Sequence, residues 1–207
     1  MTRLAVLAAI LIIMGFTPLG YLKLNPVMTI TFNMIPVVVG AVILGPEGGA
    51  ILGIIFGLTS FSQALTGSDL LGTAILNSGG LNACRLFLTC VVSRFFAGWI
   101  PGLFFKALDR GAKGSKRVVL ITLAALCGSV ANTLFFVGNF ILYFADNAII
   151  NDAFGTTSVW KIITILITLN ALVEMIVCTV VGGGVGHALA HYLPVKPAKD
   201  KAEGRGN

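Results

Sequence analysis

Beyond residue 80, eight polar side chains interrupt otherwise apolar runs: Asn82, Arg85, Arg94, Asn132, Asn139, Tyr143, Asn170 and Glu174. The two guanidiniums suit a carboxylate, the four amides both donate and accept, and Glu174 accepts from a hydroxyl. A set of this kind fits a small polar organic molecule better than a bare ion, because it contains no ring of carboxylates and no His/Glu relay. His187 and His191 read as interfacial residues. The alternative is structural. Amides in lipid-embedded helices hydrogen-bond to one another, and an Arg94–Glu174 ion pair would fasten two helices. Both readings stay open on sequence alone. No enzyme motif is present: GxSxG, HExxH and a paired Asp/Glu set are all missing. GAKGSKR at 111–117 lacks the P-loop frame, and GGGVG at 182–186 lacks the dinucleotide spacing. The chain therefore carries no ATP site of its own, and it offers no ligand set for a metal. Its four cysteines (Cys84, Cys90, Cys127, Cys178) lie apart in apolar stretches and read as packing residues.

The elements that hold these side chains must cross lipid. The chain is 57% hydrophobic and 11% charged, with a mean hydropathy of +0.96. A soluble domain carries about 25% charged residues. The net charge of +6 does not form a nucleic-acid stripe. Lys106, Arg110, Lys113, Lys116 and Arg117 crowd one loop, while Lys196, Lys199, Lys201 and Arg205 crowd the tail. That is the positive-inside pattern of cytoplasmic segments. Six spans are expected, at 3–22, 30–45, 47–65, 82–108, 117–145 and 159–192, with both termini cytoplasmic. The chain reads as one all-α integral membrane domain: a bundle over 1–192 and a basic cytoplasmic tail over 193–207. The outer loops (22–29, 66–81, 146–158) carry one lysine and no arginine. Residues 1–14 have the charge and apolar run of a signal peptide but no cleavage site after them, so they open the first span.

The run TITFNMIPVVVGAVILGPEGGAILGIIFG at 29–57 breaks at GPEGG. Gly45 ends one helix, Pro46 takes the first position of the next, and Glu47 lies in its first turn, where the dipole favours an anion. Two spans joined by a hairpin follow. Arg94 then lies about 18 Å and Glu174 about 21 Å below the outer surface, at matching depths. Asn132 and Asn139 are seven residues apart and share a face, with Tyr143 a further turn out. Gly49, Gly53 and Gly57, and likewise Gly98 and Gly102, have the spacing that lets helix backbones meet in lipid. Ala5 and Ala9 form a similar pair in the first span, free to face either the bundle or a partner.

The order and spacing of Ala5-x-x-x-Ala9, TFNMIPVVVGAVILGPEGGAILGIIFGLTSF, SRFFAGWIPGLFFKAL, ANTLFFVG and NALVE resemble the substrate-binding S-components of energy-coupling factor (ECF) vitamin transporters. The resemblance covers most of the chain. It implies a six-helix bundle in a prokaryotic plasma membrane that binds a vitamin without catalysis. It also implies a transmembrane coupling subunit and two ATP-binding subunits as partners, with ATP bound only there. The small residues that meet the coupling subunit map to Ala5 and Ala9, with Ala8 the nearby alternative. The vitamin pocket of the family maps to the outer halves of spans four to six, under a lid at Pro18 to Met28. The span-four to span-six patterns match the pantothenate-type branch best. Pantothenate has a carboxylate for Arg85 or Arg94, and an amide and two hydroxyls for Asn82, Asn132, Asn139 and Asn170. Cobalamin, riboflavin, folate and thiamine are the alternative cargoes. An ion-coupled carrier acting alone and a ligand-free structural subunit are the readings from other classes.

Overall fold

A computed structural model describes residues 2–17, 20–23, 29–109, 115–144 and 172–182, with isolated positions among 155–188. Helix α1 (Thr2–Phe16) leads into a two-stranded antiparallel ribbon, β1 (Tyr21–Lys23) and β2 (Thr29–Thr31). Then come α2 (Met34–Leu65), a short α3 (Leu70–Asn77), α4 (Gly80–Leu108), α5 (Ser115–Phe144) and α6 (Leu172–Val177). A π-helical turn, Cys178–Gly182, continues α6. Among the described residues, α2, α4 and α5 are long and apolar enough to cross a membrane. In lipid only a helix satisfies its own backbone over such a length. Their outward faces carry residues such as Leu134 and Leu142, two-thirds or more exposed, which lipid would cover.

Helix α2 is not straight. Gly45 has φ 83° and ψ −173°, a conformation that costs a side-chain-bearing residue heavily. The two arms fold back on each other there. A Cβ placed on Gly40 would lie 2.1 Å from Leu52, and one on Gly49 would lie 2.7 Å from Ala41. These pairs are separated by 12 and 8 residues, so a straight helix would hold them about 18 and 12 Å apart. The hairpin expected at GPEGG is therefore present, and Glu47 is exposed at its tip.

The second arm of α2 runs antiparallel to α4 with the backbones in contact. A Cβ on Gly49 would lie 2.2 Å from the Gly98 carbonyl oxygen, and one on Gly98 would lie 2.0 Å from that of Gly49. A Cβ on Gly53 would lie 2.1 Å from the Arg94 carbonyl oxygen. Helix α5 covers the other side of α4 through Gly128, Ala124 and Ala125, beside Ala97 and Pro101. Leu11, Met34, Val37, Val38, Leu52, Phe56, Ala97, Ala125 and Cys178 form the main apolar core.

Three expectations need correction. The first span, expected over 3–22, is helical only over 15 residues. Its last turn is closed by Gln63 Nε2, which donates to the Gly15 carbonyl at 2.6 Å. The chain then turns into the ribbon, an element that hydrophobic periodicity does not foretell because each strand has only three residues. The outer loop expected over 66–81 contains α3. Leu71, Ile75 and Leu76 of that helix bury against a second core cluster around Leu86, Phe140 and Phe144, and Thr73 Oγ1 closes the end of α2 by donating to the Ala64 carbonyl at 2.7 Å. Most of the expected sixth span, the Pro18–Met28 lid except 20–23, Asn170, His187, His191 and the 193–207 tail lie outside the described residues.

Candidate functional site

The ribbon places polar groups where the helices alone would leave an apolar gap. Tyr21 and Thr31 are directly opposite in its register, so their side chains leave the ribbon on the same face. Both are buried. Phe32 N–H donates to the Gly20 carbonyl at 3.0 Å, extending the pairing by one bond. Asn33 follows, ahead of the first turn of α2, and is wholly buried.

Thr31 Oγ1 donates a hydrogen bond to Glu174 Oε1 on α6, and Asn132 Nδ2 on α5 donates to the same oxygen at 3.5 Å. Glu174 is thus held by the ribbon and α5 together. Ser129 lies one turn before Asn132 and beside Cys178. On the other side, the Tyr21 hydroxyl lies among Thr59, Asn33 and Ser60, within range of the Arg94 charge. Burial pushes the Tyr21 phenol above its ordinary value of 10.0, and Thr59, Arg94, Asn33 and Ser60 pull against that shift. The hydroxyl is a neutral O–H donor across the physiological range.

Arg94 sits midway along α4 and is 7% exposed. Its guanidinium lies over the Phe136 ring at 4.7 Å and the Phe56 ring at 5.4 Å from the centroids. Such cation–π contacts offset part of the burial cost, about 0.5–2 kcal/mol each. These contacts satisfy none of the N–H hydrogen bonds of the guanidinium. Arg94 Nε and Nη1 are buried with no hydrogen-bond partner among the described residues, although Glu174 feels the charge. The same holds for Tyr21 Oη, both polar atoms of the Asn33 amide, Ser129 Oγ, Asn132 Oδ1 and Thr179 Oγ1. Native interiors leave very few buried polar atoms unpaired, because each costs about 1–3 kcal/mol. So many among the described residues set this cluster apart from an ordinary apolar core.

Of the residues expected from sequence, Arg94, Asn132 and Glu174 meet in this cluster. Asn82 and Arg85 lie at the start of α4, where Asn82 Nδ2 donates to Ser78 Oγ at 2.8 Å and Arg85 Nη1 donates to Asn82 Oδ1 at 3.4 Å. Arg85 is exposed there. Asn139 Nδ2 donates to the Phe135 carbonyl of its own helix at 2.8 Å. Tyr143 packs in the second core cluster. The sequence reading passed over Tyr21, Thr31, Asn33 and Ser129. Ser129 had a signal, since it shares the Asn132 face at a spacing of three. Asn33 had one too, as an amide inside an apolar run. On α1, Ala5 and Ala9 are exposed, while Ala8 packs against the main core.

The apolar spans and the fold are those of a multi-pass membrane protein, with a cluster of buried polar side chains between its helices. A family model described as ECF transporter, substrate-specific component, matches residues 1–182. The chain belongs to that family of membrane-embedded substrate-binding subunits. No curated protein matches the chain.

Proposed function

We propose that this protein is the vitamin-binding S-component of an ECF-type importer and that its cargo is pantothenate. It captures the vitamin from outside the cell and releases it to the cytoplasm. A transmembrane coupling subunit and two ATP-binding subunits drive the cycle. One observation carries the substrate assignment: Arg94 is buried beside two phenylalanine rings, and its Nε and Nη1 meet no acceptor among the described residues. A carboxylate supplies the missing acceptor and the missing charge at once. Asn132, Ser129 and Glu174, held across α5 and α6, then suit the amide and hydroxyl groups of the same molecule. Arg85, which the sequence left as the other anchor, is exposed and already bonded to Asn82. Topology supports the partner reading: both termini lie on the cytoplasmic side by the charge rule, and Ala5 and Ala9 leave a small-residue face of α1 uncovered for the coupling subunit.

The test is calorimetry and thermal unfolding of the purified protein in detergent, with pantothenate, riboflavin, thiamine, folate and cobalamin in parallel. Pantothenate is expected to raise the melting temperature by mass action, equivalent to about 2.7 kcal/mol at a hundredfold excess over Kd. Stabilisation by a different vitamin alone refutes the cargo. Uptake into liposomes is expected only when the coupling and ATP-binding subunits are present. Uptake by this chain alone under an ion gradient identifies an autonomous carrier instead. Ala5→Leu or Ala9→Leu is expected to abolish copurification of the coupling subunit and to leave vitamin affinity unchanged.

A further inference from the structure

The donors around Arg94 are distributed unevenly. Arg94 Nε, Arg94 Nη1, the Tyr21 hydroxyl and the Asn33 amide, nitrogen and oxygen, are buried with no hydrogen-bond partner among the described residues. They come from β1, from the residue just ahead of α2 and from the middle of α4. The nearby carboxylate, Glu174, already accepts from Thr31 and Asn132 and so faces a different set of groups. The site is thus divided. One end has a formal positive charge and several unmet donors. The other has an anchored carboxylate bordered by hydroxyls and an amide. The cross-strand pair Tyr21–Thr31 spans the two ends, one residue serving each.

We propose that Tyr21 and Asn33 complete, with Arg94, a receptor for the acid group of the ligand, so that the ligand binds in one orientation with its acid end against the ribbon and α2 and its hydroxylated end toward Glu174. This rests on reading the cluster as the solute site. A carboxylate, with two oxygens and about four lone-pair directions, is the smallest group that accepts from all three side chains together. Neither a neutral amide nor a single hydroxyl does so, and neither compensates the Arg94 charge. Tyr21 and Asn33 therefore determine specificity by acid recognition, and removing either one reduces affinity for acids more than for their neutral analogues.

The experiment measures binding of pantothenate and of pantothenol, in which a primary alcohol replaces the acid, to the full-length protein and to Tyr21→Phe, Asn33→Asp and Asn33→Leu. Monodispersity on gel filtration checks folding, and Tyr21→Phe keeps the ring and changes one oxygen. The wild type is expected to favour the acid by about 100-fold, since hydrogen bonds to charged groups are the strong ones. Tyr21→Phe is expected to lower acid affinity about tenfold and Asn33→Asp about 100-fold, with pantothenol binding nearly unchanged. A merely structural role would weaken both ligands alike, which overturns the proposal. If the wild type binds biotin or nicotinate instead, the same comparison is made with its amide. An acid preference that depends on Tyr21 and Asn33 then upholds the receptor while the pantothenate reading fails. Pantothenate binding that is indifferent to Tyr21 and Asn33, or equal affinity for pantothenate and pantothenol, removes the receptor and leaves the cargo assignment in place.

Discussion

The seam between α2 and α4 and the polar cluster around Arg94 are neighbours built on opposite principles. In the seam, glycine faces glycine and carbonyl oxygens stand where side chains would otherwise be. Its stability comes from dispersion between backbones at closest approach. In the polar cluster, atoms of a cation, of amides and of hydroxyls are buried with no hydrogen-bond partner among the described residues. The two regions meet at a single residue. The Arg94 carbonyl closes the seam against Gly53, and its side chain enters the polar cluster beside Phe56 and Phe136. The lesson is a division of labour: close backbone packing in the seam supports an otherwise unfavourable set of buried polar groups beside it, the arrangement the proposed ligand site requires.

That contrast predicts opposite signs for mutations a few residues apart. The largest effect is expected from Gly53→Leu, which forces a side chain into the Arg94 carbonyl. Overpacking of this kind costs about 1–3 kcal/mol or more, and both folded yield in detergent and ligand binding should fall together. Arg94→Met comes next and reverses the pattern. Affinity should drop by about 1.5–3 kcal/mol with the loss of a charge-assisted bond. The melting temperature without ligand should hold or rise, because an apolar side chain replaces a buried cation whose Nε and Nη1 meet no acceptor among the described residues. A fall in stability as large as that in affinity would make Arg94 a structural element and dissolve the contrast. Thr31→Val removes the donor that ties the ribbon to Glu174. A loss of about 1 kcal/mol is expected, read as a shift of about 2–4 °C in melting temperature. Arg85→Ala should change least, within about 0.5 kcal/mol in stability and without measurable effect on affinity. Equal losses of affinity at Arg85 and Arg94 would move the acid anchor to the end of α4.

Much of this architecture was legible in the chain. The GPEGG break announced the hairpin because only glycine tolerates the Gly45 conformation and proline suits the turn after it. The fourfold glycine spacing announced close helix contacts on two spans, and the structure pairs those two faces with each other. Arg94, Asn132 and Glu174 were visible as polar residues in apolar runs, where a charge costs about 2.5–3.5 kcal/mol and is kept for a reason. The ribbon was not legible. Three-residue strands carry no periodic signal, and Tyr21 looked like the end of a first span that stops at Phe16. Asn139 shares a face with Asn132 by sequence, yet its amide folds onto its own helix. Seven residues of spacing set a common direction but say nothing of what lies opposite.

Composition and the positions of charge and glycine determined on their own that this chain traverses lipid, where it bends and which helix faces allow close packing, because those properties depend on local backbone preference and on the cost of polarity in hydrocarbon. Which polar side chains converge was settled only by the tertiary structure. Tyr21, Asn33, Arg94, Asn132 and Glu174 span more than 150 positions of the chain. Their meeting follows from how the hairpin, the ribbon and α4 to α6 dock, a long-range outcome that no local pattern encodes.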